Sequence, residues 1–194
     1  MAMAIERETT ERDRHRHETH SRTRVAVDVL ICVQREFADF IASITDEQYT
    51  QKPVGPMKSS IGGHVRHCLD HVAAVLAAAR TGQLNYDLRE RGTDVENDRR
   101  AALQTIDHQE SEMLALRARF FDRRLKMTVL LSPAAPELET TTTLSRELAF
   151  VLSHTVHHNS LIAAMGAILG LPVPERFGYA PATLAWRDQQ RCAQ

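Results

Sequence analysis

The sequence predicts an all-α fold, mainly an antiparallel four-helix bundle, with a short β hairpin or extended crossover between helices three and four. Three observations predict it. Apolar residues recur at helical spacing in four long segments. Cap and stop residues bracket most of those segments. One β-prone stretch, broken by prolines, separates the last two.

Helix one spans about Arg24 to Ile44, with Val25, Val29, Val33, Phe37, Phe40 and Ile44 at helical spacing and Ile41 widening the stripe. A polar loop through Thr50, Lys52, Pro53, Gly55 and Pro56 ends it. Helix two starts after Ser59 or Ser60, either of which can cap it, and runs to about Arg80, where Gly82 is a stop signal. Ala73, Ala74, Ala77, Ala78 and Ala79 make it slim, so that a neighbour can approach closely.

Thr93-Asp94-Val95-Glu96 has the form of a capping box and is read as the start of helix three. Leu103, Ile106, Met113, Leu116 and Phe120 form that helix's apolar face. Met127–Leu131 and Glu139–Thr143 flank Pro133 and Pro136 and supply the hairpin or crossover. Glu137 to Thr143 reads as a β edge, with dimer contacts as its other use.

Ser145 is the expected cap of helix four, which carries Leu148, Val151, Leu152, Leu161, Ile162, Met165 and Ile168 before Gly170. A closing segment with Pro172, Pro174, Gly178 and Pro181 is expected to wrap the body. Its final turn, Thr183 to Gln190, is expected to be anchored by Trp186.

The chain has 194 residues, enough for one domain with a sizeable core. Residues 1–24 hold six Arg, five Asp/Glu and three His, too polar to repay ordering, and are read as a disordered or extended charged tail. Residues 25–194 form the single domain. The balance of 24 Lys/Arg against 25 Asp/Glu argues against a nucleic-acid partner. Cys32, Cys68 and Cys192 form no C-x-x-C pair, which argues against a thiolate zinc cluster or a disulfide framework. Neither a signal peptide nor a membrane span is expected, so the compartment is read as cytoplasmic. No nucleotide-binding glycine motif occurs.

The distinctive residue is histidine, ten in all. On helix four His154 and His158 are four apart and share a face with Val151, Leu161, Met165 and Ile168. Imidazoles in an apolar stripe need partners for both ring nitrogens, and a metal ion or a buried polar network can supply them. Helix two presents His64, His67 and His71 on one side. One of them, facing helix four, would complete a three-nitrogen site with an open position, the arrangement of a catalytic metal. The helical wheel does not choose among the three.

With these motifs in the second and fourth helices, residues 25–170 resemble the DinB-like family of metal-dependent four-helix bundles. That family includes thiol-dependent transferases and the amino-terminal domain of ergothioneine-forming sulfoxide synthases. His154-Thr155-Val156-His157-His158 matches its last-helix signature, although Leu161 stands where a Gln often follows. The family's other ligand comes seven or eight residues after a Ser or Thr that opens helix two. The resemblance therefore implies His67, His154 and His158 as the metal set, where the wheel alone left His64 and His71 open.

A nitrogen-rich site of this kind suits a divalent transition metal, Zn, Ni, Fe, Co or Mn, with Zn or Ni placed first. Such an ion lowers the pKa of water or of an incoming thiol. The expected function is hydrolysis or group transfer on a small molecule, with a low-molecular-weight thiol favoured by the resemblance. His157, Asp70, His64 and His71 are the candidates for proton work. Asp70 is expected either to fix an imidazole tautomer or to pair with Arg66 in solvent. Cys68 is read as a core residue, and His108 as surface. Tyr86–Arg91 and Phe177–Pro181 are read as loop packing, with the arginines in solvent; their other reading is a pocket mouth, with Arg89, Arg91 or Tyr179 contacting a polar substrate. The alternative function is a non-catalytic metal-stabilised bundle acting as a binding or stress-response protein, closed by a fourth ligand from His64 or His71. A homodimer is the expected assembly.

Overall fold

The computed structural model describes residues 24–55, 57–89, 92–117 and 123–192. The expected charged tail and Phe120 therefore lie outside the described residues, save Arg24. Four long helices make up the body: α1 over residues 24–43, α3 (Ile61–Thr81), α4 (Arg99–Arg117) and α5 (Leu144–Ile168). Two shorter ones, α2 (Asp46–Thr50) and α6 (Pro181–Cys192), follow α1 and α5.

The expected hairpin is present between α4 and α5. Strand β2 (Arg124–Val129) pairs antiparallel with β3 (Leu138–Thr143), in a register that sets Leu125 opposite Thr142. A two-residue strand that the sequence does not announce, β1 (Gln83–Leu84), adds in parallel to β2 directly after the Gly82 stop. Gly82 takes φ of 81° and donates its N–H to the Ala78 carbonyl, which ends α3 and turns the chain into β1.

The buried face of α1 differs from the expected one in its first half. Val25 and Val29 are exposed, whereas Val27, Leu30 and Ile31 are buried together with Gln34. Gln34 holds this register because its amide donates to Gln109 Oε1 at 2.9 Å, and Gln109 donates in turn to the Leu69 carbonyl.

Two caps also move. Thr93 makes no capping bond, and Asp94–Glu96 forms a 3-10 turn instead. Helix α4 starts later because Asp98 Oδ1 accepts from the N–H groups of Arg100 and Ala101. Thr143, not Ser145, caps α5, accepting from Arg146 N–H. A full capping box occurs instead at Thr45 and Gln48, in front of α2.

Ser60 caps α3 by accepting from Gly63 N–H. A Cβ on neighbouring Gly62 would collide with the Glu96 carbonyl and with Tyr49, so glycine lets this helix start lie against the 3-10 turn. The closing segment makes a 12-residue helix rather than one turn, and Trp186 is 59% exposed. Phe177 is the anchor: it is 4% exposed and stacks on Phe40 at 5.0 Å.

Candidate metal centre

Helices α3 and α5 pack along their length, and their histidines meet rung by rung. His64 Nδ1 lies 2.9 Å from His158 Nδ1, and His67 Nε2 lies 2.9 Å from His154 Nε2. Numbers rise along α3 as they fall along α5, so the two helices are antiparallel. The buried stripe of α5 runs through Leu148, Val151, Thr155, Asn159 and Ile162, while Ile168 is exposed. His154 and His158 therefore lie at its margin and are half-buried rather than central. Thr155 tolerates the central position because its hydroxyl donates to the Val151 carbonyl at 2.8 Å.

His71, only 7% exposed, joins this cluster, its ring 4.3 Å from that of His154. Its Nδ1 lies 2.9 Å from the His67 carbonyl, an obligate acceptor, so Nδ1 carries the proton and Nε2 keeps a free lone pair. One ligating nitrogen each from His67, His71 and His154 lies within 4.8 Å of the others. His158 is beside them, its ring 4.7 Å from His67 and 4.6 Å from His154. Four-coordinate zinc with Zn–N of about 2.05 Å spaces its nitrogens by about 3.3 Å, so imidazoles this close are within reach of one ion.

Burial keeps the rings neutral, so each retains one nitrogen with a lone pair. It is the largest cause holding His67 near 3, His154 near 4 and His158 near 3, with neighbouring histidines adding to it. His64 and His71 are lowered by the same desolvation. The donor set, neutral imidazoles crowded without a compensating carboxylate among them, fits a divalent transition metal.

An aromatic wall closes one end of the cluster. Tyr86 stacks on His71 at 4.9 Å and 15°, and Phe150 lies 5.6 Å from His154. Behind it Glu147 is fully buried, accepting from Tyr86 Oη, Thr142 Oγ1 and Arg146 Nη1. Sequence reading missed Glu147 and Phe150, since both fall within an ordinary helical pattern.

Arg89 also departs from expectation. Rather than meeting solvent, its Nη1 donates to His67 Nδ1 at 2.5 Å. Arg91 of the same run lies outside the described residues. Tyr179 is partly exposed, with the Arg187 guanidinium 4.2 Å above its ring.

Asp70 is half-buried beside Arg89 and does not pair with Arg66, whose Nε lies 3.3 Å from Glu96 instead. Burial raises its carboxyl pKa, opposed by the charges of Arg66, Arg89 and His71. A cavity of about 680 Å³ adjoins these groups, lined by Asp70, Ala73, Ala77, Leu84, Arg89 and Thr93. Part of the alanine face of α3 thus floors a cavity instead of receiving a helix. His157 is exposed and faces a smaller cavity of about 330 Å³ with Gly178 and Pro181. Cys68 is a buried core residue and His108 is exposed, as their patterns predict.

No helix among the described residues is long and apolar enough to cross a membrane. Over 102 residues, 52% of this chain, the sequence is 33% identical to FK506-binding protein 5 of Rhizopus delemar. That match spans 26% of the fungal protein's length. A family model described as the DinB superfamily matches residues 31–162, which includes all five clustered histidines. The helical architecture, the histidine cluster between α3 and α5 and this match agree: the chain belongs to the DinB superfamily.

Proposed function

We propose that this chain is a metal-dependent enzyme that activates water or a low-molecular-weight thiol for hydrolysis or group transfer. The observation that carries the reading is the approach of His67 Nε2 to His154 Nε2, with further neutral imidazoles around them. A bound divalent ion, Zn or Ni first, then Fe, Co or Mn, supplies Lewis acidity that lowers the pKa of a coordinated nucleophile.

In this reading His67 and His154 hold the ion. His158 is the third ligand that the family resemblance implies, and His71 competes for that place on geometry. The cavity beside Asp70 and Arg89 is of a size to receive a small molecule. His64 and His157 stand next to His158, where they can move protons at its margin. Residues 25–194 act as one cytoplasmic domain, as a homodimer, with the charged tail apart from the chemistry.

A second reading is a metal-stabilised bundle that binds without catalysing. His71 favours it, because a fourth imidazole would fill the position that a catalytic ion keeps open. Metal content and activity toward thiols and simple esters, measured on the His71→Ala and His158→Ala proteins, separate the two. The enzyme reading expects activity to vanish with whichever of the two is the third ligand and to survive loss of the other. The closed-site reading expects no activity in any form.

A further inference from the structure

Arg89 and His67 fix a proton arrangement that a metal ion has to undo. A guanidinium offers only donors and stays protonated. With Arg89 Nη1 at 2.5 Å, His67 Nδ1 therefore accepts, and the proton of the neutral ring sits on Nε2. Nε2 faces His154 Nε2 at 2.9 Å, which accepts that proton. Metal ligation through His67 Nε2 needs the opposite tautomer, with the proton on Nδ1. That tautomer would turn an N–H toward the guanidinium's own N–H groups. His71, with its Nδ1 on a carbonyl, is already in the ligating form and does not share the obstacle at His67.

The cavity holds an acceptor for the displaced guanidinium. Asp70 Oδ2 is buried and has no hydrogen-bond partner among the described residues. Asp70 and Arg89 line the same cavity, with Asp70 on helix α3 and Arg89 on the loop after β1.

We propose that Arg89 is a latch on His67 which metal loading transfers from His67 Nδ1 to the Asp70 carboxylate, so that Arg89 opposes metal binding and Asp70 favours it. Both are positioning residues, and the inference rests on the metal reading above.

The test is titration of the full-length, metal-free protein with Zn²⁺ against a chromophoric chelator. The proteins compared are unsubstituted, Arg89→Met, Asp70→Asn and the double variant, each first checked for native helicity. Arg89→Met is expected to bind Zn²⁺ about tenfold tighter, within the range by which groups bonded to ligands alter metal affinity. Asp70→Asn is expected to weaken binding when Arg89 is present and to leave it unchanged in Arg89→Met. Equal or weaker binding by Arg89→Met would overturn the latch while leaving the metal site standing.

The ¹⁵N-resolved imidazole spectrum of the metal-free protein gives an independent readout. His67 is expected as the Nε2–H tautomer there, and an Nδ1–H signal would overturn the proposal. If neither the unsubstituted protein nor Arg89→Met binds Zn²⁺, the metal reading itself fails and the latch with it.

Discussion

His67 on α3 and His154 on α5 face each other through their Nε2 atoms at 2.9 Å, and His71 stacks on the same His154 ring. One ring nitrogen from each of His67, His71 and His154 thus lies near the other two. In metal-free protein one of the pair must donate, so the contact is a hydrogen bond that an ion replaces.

Replacing His154 with Ala removes one of the two imidazoles, with His67, common to both candidate ligand sets and is expected to abolish tight metal retention. His157→Ala changes an exposed ring and is expected to weaken retention far less. Dialysis against a mild chelator followed by metal assay checks this. Equal retention in the two variants would contradict the ligand assignment.

Acid is expected to destabilise the metal-free fold from below pH 6.5 downward. The sign follows from the lowered histidine pKa values in the folded chain, near 3 for His67 and His158 and near 4 for His154, with burial as the chief cause. Between pH 6.5 and those values the unfolded chain binds protons that the folded one refuses, so stability rises with pH there and levels off above 6.5. Urea midpoints at pH 7 and pH 5, both with chelator, check it. The difference between them should shrink in His67→Ala.

Phe177→Ala is expected to cost about 3–5 kcal/mol, because the ring is buried on Phe40 and Phe37 and fastens the closing segment to α1. Trp186→Ala, at an exposed position on α6, is expected to cost no more than about 0.5 kcal/mol. Chemical denaturation of both variants checks the contrast.

Tyr86→Phe keeps the ring on His71 but removes one of the three donors that satisfy the buried Glu147 carboxylate. A loss of about 1–3 kcal/mol is expected, read from the denaturation midpoint. Unchanged stability would mean that Thr142 and Arg146 suffice for Glu147.

These outcomes separate what local pattern can encode from what it cannot. The i, i+4 placement of His154 and His158, the Ser60 cap and the Gly82 stop are local, and each was legible in the sequence. Thr93–Glu96 fits the capping template as well as Thr45–Gln48 does, yet Asp98 captures the start of α4 and Glu96 turns to Arg66. Asp98 is a local cap that the reading passed over, whereas the partner of Glu96 is set by tertiary proximity, which is not written in spacing.

Two further misreadings share that cause. The early stripe of α1 was misplaced because a buried glutamine, Gln34, holds the helix register through a partner 75 residues away. Arg89 reads as a solvent-facing loop residue until α3 is brought beside it, and only then does it meet His67. Among His64, His67 and His71, periodicity could not choose. All three reach the cluster, because α5 runs antiparallel to α3 and supplies a partner at each rung.

The central claim, a metal held between α3 and α5, is tested most directly by elemental analysis of untagged protein purified without added metal. His67→Ala, His154→Ala, His158→Ala and His71→Ala should be prepared alongside it. The account predicts about one transition-metal ion per chain, lost in the first two variants, with the third ligand named by whichever of the last two also loses it. Protein that carries no metal when fresh, and takes up none on titration, would contradict the account and leave a helical bundle with a buried imidazole network.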